Sequence, residues 1–145
     1  MVTASDVAKY IVKSLSVDNL KLQKLLYYSQ AVHLVLNNKT PLFNDDIEAW
    51  DYGPVVPSVY HEYKQYGFDA IPSYEDQVVL NFDEMKTVDM TLACFGVQSG
   101  PALINQTHYE DPWKNAYRPG RPSMIITIDA IYDFFKDALD FSDEI

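Results

Sequence analysis

Hydrophobic residues recur at helical spacing along most of this chain, so the sequence predicts a mainly α-helical fold. The strongest pattern runs from Asn19 to about Asn38, where Asp18 is suited to cap the helix and apolar side chains cover most of its circumference. A helix of that kind is usually the central element of a small helical domain. Its polar positions form a narrow remainder: Lys21, Gln23, Lys24, Gln30 and Asn37.

Shorter helices are predicted along the rest of the chain from apolar spacing and capping residues. They are expected over residues 5–15, from Pro54 to Gly67, behind an Asp83 N-cap, from Ser99 to Gln106, behind an Asp111 N-cap, and from Ile128 onwards. In that last helix Ile128, Ile131, Phe135 and Ala138 are expected to face inwards. Strand signals are short and cover residues 47–52, 77–82 and 124–127. The prediction is a single compact helical domain over residues 1–145, with six or seven helices and at most short strands.

Charge and cysteine usage narrow the classes of function. The net charge is −10, with only 11 lysines and arginines against 21 acidic residues, which argues against general nucleic-acid binding. Cys94 is the only cysteine, so an internal disulfide is excluded. With neither a signal-peptide pattern nor an apolar run long enough for a membrane span, we expect a cytoplasmic protein.

Candidate catalytic and metal-binding groups are sparse. The three histidines, His33, His61 and His108, lie in separate segments without the clustered spacing of a metal site. We expect His33 to be a core histidine and Cys94 to be a buried structural thiol. The sequence carries no glycine-rich phosphate loop and no nucleotide fingerprint. We therefore predict no cofactor, no metal and no catalytic residue.

Aspartates form a stripe on the predicted last helix. Asp129, Asp133, Asp137 and Asp140 share one side, with Lys136 as the nearby cation. The simpler interpretation is a solvated face. The alternative is an electrostatic surface for a basic protein partner.

Three sequence blocks, in order, resemble the signature segments of one known family. The first is NLKLQKLLYY at residues 19–28, and the second joins PLF at residues 41–43 to EAWDYGPVVP at residues 48–57. The third contains Leu103, Thr107-His108 and Pro112-Trp113. With the closing helix, these blocks resemble the SocA-like antitoxin family, also called the Panacea domain and often associated with phages and prophages.

The resemblance implies a mainly helical antitoxin without enzymatic activity that binds and neutralises a cognate protein toxin. At least one branch of that family hands its toxin to a Clp-type protease, so delivery to a protease is a secondary expectation. Many members carry an added DNA-binding domain. Residues 1–145 leave no room for one beside the core domain, and we expect no direct nucleic-acid binding.

The residues at the family's motif positions are Lys21, Gln23, Lys24, Tyr27, Glu48, Trp50, Gly53, Pro54, Tyr60, Thr107, His108 and Trp113. The resemblance does not separate interface residues from scaffold residues. Because the toxins of the family are diverse, the contact surface can equally lie on residues 68–82 or on the aspartate stripe.

Physical chemistry divides part of this set. Gly53 and Pro54 are expected to form a turn and begin a helix. Trp50 and Trp113 are expected to pack in the core. A lysine of the long helix is expected to pair with Glu48.

Two alternative hypotheses are a purely structural phage component, which would self-assemble without a dedicated partner, and a small enzyme. Its pocket would collect Thr107, His108, Glu110 and Lys24, with the histidine as general base.

Overall fold

The chain begins with two capped helices, α1 (Ala4–Ser14) and α2 (Asn19–Leu36), in a computed structural model that describes residues 1–73 and 79–141. Thr3 caps α1 in a reciprocal capping box with Asp6. Asp18 Oδ1 accepts the backbone N–H of Lys21 at 2.9 Å and caps α2. Both helices match the predictions from the sequence.

A short hairpin follows, formed by β1 (Ile47–Trp50) and β2 (Gly53–Val55), and helix α3 (Pro57–Tyr63) comes directly after it. The prediction that a helix begins at Pro54 was wrong. Gly53 adopts a φ of +102° at the hairpin turn, and Pro54 lies in an edge strand, where its missing N–H is tolerated. Pro57 occupies the first helical position instead.

Helix α4 (Phe82–Phe95) opens the second half of the described chain. Its N-cap is Asn81, which forms a capping box with Glu84, so the prediction of an Asp83 cap was wrong. Residues 77–78 of the predicted strand lie outside the described residues. Its end was wrong, since residues 79–80 are irregular and Phe82 is helical.

Three more helices complete the fold: α5 (Gly100–His108), α6 (Asp111–Ala116) and α7 (Ile128–Ala138). Ser99 and Thr127 cap the first and last of them. The predicted Asp111 cap was wrong. Asp111 is instead the first residue of α6. The N-cap position belongs to Glu110, whose carboxylate is buried in the protein and does not cap the helix.

Strand β3 (Ile125–Ile126) pairs with β1, and the sheet order is β2-β1-β3, antiparallel throughout. Helix α2 lies at the centre and contacts α1, α3, α4, α5, α7 and β2. The described residues thus form seven α-helices and one small sheet, and the mainly α prediction is confirmed. None of the helices in these residues is long and apolar enough to cross a membrane.

Burial around α2 is more complete than its sequence suggests. Gln23, Lys24 and Gln30, predicted as a polar remainder, are fully buried. Gln23 Oε1 accepts the N–H of Val56 at 2.9 Å, and Gln30 Nε2 donates to the carbonyl of Phe43 at 2.8 Å. These amides are buried because they satisfy backbone groups of the neighbouring loops.

Four further expectations concern single positions. His33 is buried and lies 2.7 Å from the Thr87 hydroxyl, as expected of a core histidine. Cys94 is exposed, so its assignment as a buried thiol was wrong. Phe135 is buried as predicted, but the prediction that Ala138 faces inwards was wrong, because this residue lies at the end of α7 and is exposed.

Candidate functional site

Lys24 is the centre of a buried contact between α2, the hairpin and α5. Its side chain is fully buried, and Nζ donates to the carbonyl of Pro54 at 3.1 Å. A Cβ at Gly53 would lie 2.7 Å from Thr107 Oγ1 and 3.0 Å from Lys24 Cε, so only glycine fits. Burial lowers the pKa of Lys24 to about 7, opposed by the charge of Asp18. We call Lys24, Gly53, Pro54 and Thr107 the motif hub.

A buried carboxylate lies on the same side of α2. Glu110 accepts the hydroxyl of Tyr27 at 3.1 Å, that of Tyr28 at 3.0 Å and Nε2 of Gln106 at 3.4 Å. Burial raises the pKa of Glu110 to about 7, although the three hydrogen bonds lower it. Burial and the nearby carboxylate also raise the pKa of both tyrosines. Glu110 therefore ties the α5–α6 junction to α2.

Three rings stack beside the hub. The rings of His108 and Trp113 are 4.1 Å apart and those of Trp113 and Tyr117 are 4.4 Å apart, both nearly parallel. Trp113 Nε1 donates to the carbonyl of Trp50 at 2.8 Å, so the stack is fixed to the hairpin. Burial lowers the pKa of His108, which favours the neutral ring, although a hydrogen bond to the backbone of Asp51 raises it. Trp113 is buried as predicted.

The hairpin and Tyr117, the outer ring of this stack, line an open groove of about 350 Å³. We call it the aromatic groove; its principal side chains are Trp50, Tyr52, Tyr60, Tyr117, Arg118 and Arg121. Trp50 is only half-buried, with its ring 5.0 Å from that of Tyr60. Its assignment to the core was therefore wrong, because β1 presents this side chain to the groove.

Both arginines of the sequence belong to one tight turn at the groove. The N–H of Arg121 donates to the carbonyl of Arg118 at 3.0 Å, Pro119 follows Arg118, and Gly120 has a φ of +76°. This is the pattern of a type II turn, in which proline precedes a left-handed glycine. Arg118 Nη1 also donates to the carbonyls of Asn115 and Tyr117 at 3.1 and 2.7 Å. The predicted loop is thus a defined turn that brings two exposed arginines to the groove.

The expected lysine–Glu48 pair was wrong, because other partners satisfy these groups. Lys21 Nζ donates to the carbonyl of Gly96 at 2.7 Å, while Lys24 is held in the hub. Glu48 accepts the indole N–H of Trp50 at 2.9 Å. Both lysines thus donate to backbone carbonyls of distant segments instead of pairing with Glu48, and the sequence alone does not indicate these contacts.

The aspartate stripe lies apart from these residues, along α7 and just beyond it. Asp129 pairs with Lys39, and Asp133 Oδ1 lies 3.7 Å from Lys136 Nζ. All four aspartates are exposed, as predicted for either interpretation of the stripe. Within residues 1–73 and 79–141, no group of three or more histidines, cysteines and acidic residues could hold a metal ion.

Residues from all three sequence blocks therefore meet at the hub and in the structures beside it: Lys24 from the first, Trp50, Gly53 and Pro54 from the second, and Thr107, His108 and Trp113 from the third. The family model described as Antitoxin SocA-like, Panacea domain, matches residues 22–114, which is more than half of the chain. The chain belongs to the SocA-like antitoxin family. In this Panacea domain the match contains the whole hub, Glu110 and Trp113, whereas the two arginines lie beyond its end.

One curated relative is Antitoxin SocA of Caulobacter vibrioides (strain NA1000 / CB15N), which is 50% identical over 44 residues. The aligned segment covers 30% of this Panacea domain chain and 23% of the relative's length. No solved structure matches the chain significantly.

Proposed function

We propose that this chain is the antitoxin of a toxin–antitoxin pair and that it neutralises a cognate protein toxin by binding it stoichiometrically in the cytoplasm. The family match over residues 22–114 carries this proposal. The groove supports it, because Trp, Tyr and Arg are the side chains that dominate binding energy at protein interfaces. We also propose that residues 1–145 form one domain, and that the chain binds no nucleic acid directly and is encoded by a bacterium or a resident prophage.

Growth rescue tests the proposal directly. The neighbouring open reading frame is induced in a heterologous host with and without this chain. We expect its product to arrest growth alone, co-expression to restore growth, and the two proteins to purify together. A toxic product that this chain neither binds nor relieves would contradict the proposal for that pair.

Protease delivery is the finer alternative within the same function. If the chain acts as an adaptor, rescue requires the host's Clp-type protease, and the toxin disappears during co-expression. If binding alone neutralises, rescue persists in a host lacking that protease and the toxin accumulates in the complex.

The small-enzyme hypothesis draws little support from the geometry. Thr107 is fully buried, and its hydroxyl donates to the carbonyl of Ile104 at 2.7 Å. Lys24 is equally inaccessible, and Glu110 is occupied by tyrosine hydroxyls. A His108→Ala variant that stays folded and protective would remove the general base that this hypothesis requires.

A further inference from the structure

We infer that the aromatic groove binds a segment of the toxin that carries an acidic residue beside an aromatic or aliphatic anchor. The inference rests on the proposed function and deepens it by naming the surface and the chemistry of its partner. It identifies Arg118 and Arg121 as the residues that select the acidic group.

The apolar part of the groove suits an inserted side chain. Trp50, Tyr52 and Tyr60 offer large rings with few rotatable bonds, so little conformational entropy is lost on binding. Tyr52 is 64% exposed, which leaves apolar surface to be covered. A volume of about 350 Å³ accommodates one or two side chains of a partner and lies at the lower end of ligand-pocket sizes.

Charge indicates which side chain lies beside that anchor. The chain has a net charge of −10, and a surface of that sign repels acidic partners. Its two arginines are nevertheless exposed together at this groove. Guanidinium groups bind carboxylates through paired N–H donors, and Arg118 uses only Nη1 in its contacts to Asn115 and Tyr117.

The turn fixes the backbone of these two arginines before any partner arrives. Proline fixes its own φ, and Gly120 adopts the left-handed conformation that the turn requires. The carbonyl of Arg118 accepts the N–H of Arg121, so the two residues cannot move apart without breaking this bond. Preorganisation of this kind reduces the entropic cost of binding.

Two observations favour a protein segment over a phosphate-bearing ligand. Asp51 lies in the same wall, and its carboxylate accepts the hydroxyl of Tyr117, so it repels a multiply charged phosphate group more strongly than a single carboxylate. The arginines also lie beyond the family match at residues 22–114, where a surface specific to one toxin can differ between members.

The test begins without a known toxin. A phage-displayed library of random 12-residue peptides is selected on the purified chain, and enriched peptides are titrated while the two indole N–H signals are followed by NMR. We expect enriched peptides to carry Asp or Glu next to an aromatic or aliphatic residue and to shift the Trp50 signal. Failure to enrich, enrichment of basic peptides, or stronger shifts with ATP or pyrophosphate would overturn the inference.

Variants locate the binding. R118E/R121E should weaken peptide binding at least tenfold, and Tyr52→Ala should weaken it several-fold; both change exposed side chains, and unchanged circular dichroism would verify folding. The matched control, K13E/K64E, makes the same change in charge at exposed positions outside the groove and should bind as the wild type does. If both double variants lost peptide affinity equally, the loss would be explained by net charge alone, and the inference would be overturned.

The toxin separates this inference from the proposed function. If wild-type chain and R118E/R121E neutralise the toxin equally, the groove assignment is wrong and the antitoxin function stands. If acidic peptides bind the groove while the wild-type chain neutralises nothing, the proposed function fails and the peptide chemistry stands.

Discussion

Helices α2 and α7 carry polar residues in opposite ways. Helix α7 keeps its aspartates in solvent and its apolar face, including Ile131 and Phe135, inside. Helix α2 buries Gln23 and Lys24 completely. The contrast shows that polar side chains on α7 shape the surface, whereas those on α2 join distant segments of the chain.

Exposed polar groups on α7 and buried polar groups on α2 differ in whether they need a protein partner. An exposed carboxylate is solvated by water whether or not a cation is near, so surface pairs contribute little. A buried group requires specific partners, and removing one of them leaves an uncompensated polar atom in the interior. Substitutions on the two helices should therefore have very different effects.

The largest effect is expected from Glu110→Ala. It leaves the hydroxyls of Tyr27 and Tyr28 without their acceptor in the interior and should lower the free energy of unfolding by about 3 kcal/mol. The matched change on the outer surface, Asp137→Ala, should alter it by less than about 0.5 kcal/mol. Urea denaturation followed by circular dichroism measures both, and similar losses would contradict the comparison.

A second substitution tests how tightly the hub is packed. Gly53→Ala places a Cβ against Thr107 and Lys24 at a positive φ and should cost about 2–3 kcal/mol. Gly120→Ala also has a positive φ, but nothing lies within 4 Å of its Cβ, so we expect about 1 kcal/mol from the backbone alone. The thermal unfolding midpoints of the two variants separate the steric cost from the conformational cost. Equal decreases in the midpoint would show that the side chains of the hub move to accommodate the added Cβ.

The buried charges also predict a pH dependence. Burial raises the pKa of Glu110 from its ordinary 4.5 to about 7, so its contribution to stability is full below about pH 4.5 and is lost as pH rises to 7. Burial lowers the pKa of Lys24 from 10.5 to about 7, so its contribution is full above about pH 10.5 and is lost as pH falls to 7. Both groups therefore disfavour the folded state most near pH 7.

Two substitutions test which group causes the change in stability in each pH range. Glu110→Gln should remove the decline between pH 4.5 and 7, and Lys24→Met should remove the rise between pH 7 and 10.5. The measurement is the free energy of unfolding in urea at pH 5, 7 and 9 for the wild type and each variant. Curves that stay parallel to the wild type would show that neither group titrates in these windows.

The smallest effect on stability is expected on the aspartate stripe. Asp133→Lys with Asp137→Lys should change the free energy of unfolding by less than about 0.5 kcal/mol, since both side chains are exposed. If the stripe steers a basic toxin, the double variant associates more slowly and its association rate depends less on salt. Stopped-flow measurement at two salt concentrations decides this; unchanged rates leave the stripe as a solvated face.

The sequence could predict features that depend on neighbouring residues, as on α7, better than features that depend on distant segments, as on α2. The Asp18 cap of α2 is a local signal, and the apolar spacing of α7 placed Ile131 and Phe135 correctly. The start of α3 could not be predicted, because Pro54 and Pro57 both suit a first helical turn and only the pairing of Pro54 with β1 distinguishes them.

Within the candidate site, the motif residues could be named from the sequence, but their surroundings could not be predicted. The burial of Lys24 depends on the carbonyl of Pro54, 30 residues away, and the inward turn of Glu110 depends on Tyr27, 83 residues away. Trp50 was misplaced for the same reason, since only the hairpin determines which side of β1 faces the groove. The sequence predicted a loop at Arg118 and Arg121. It did not indicate that these arginines lie beside the aromatic residues of the groove.

The 83-residue separation between Tyr27 and Glu110 also bears on synthesis at the ribosome. At 5–20 residues per second, the acceptor of the tyrosine hydroxyl is made ~4–17 s after its donor. During that interval the nascent α2 has no Glu110 carboxylate to bind, and the hub around Lys24 lacks Thr107 until late in it. The arginine turn is made later still, so a nascent chain acquires its groove only after Arg121 has been added.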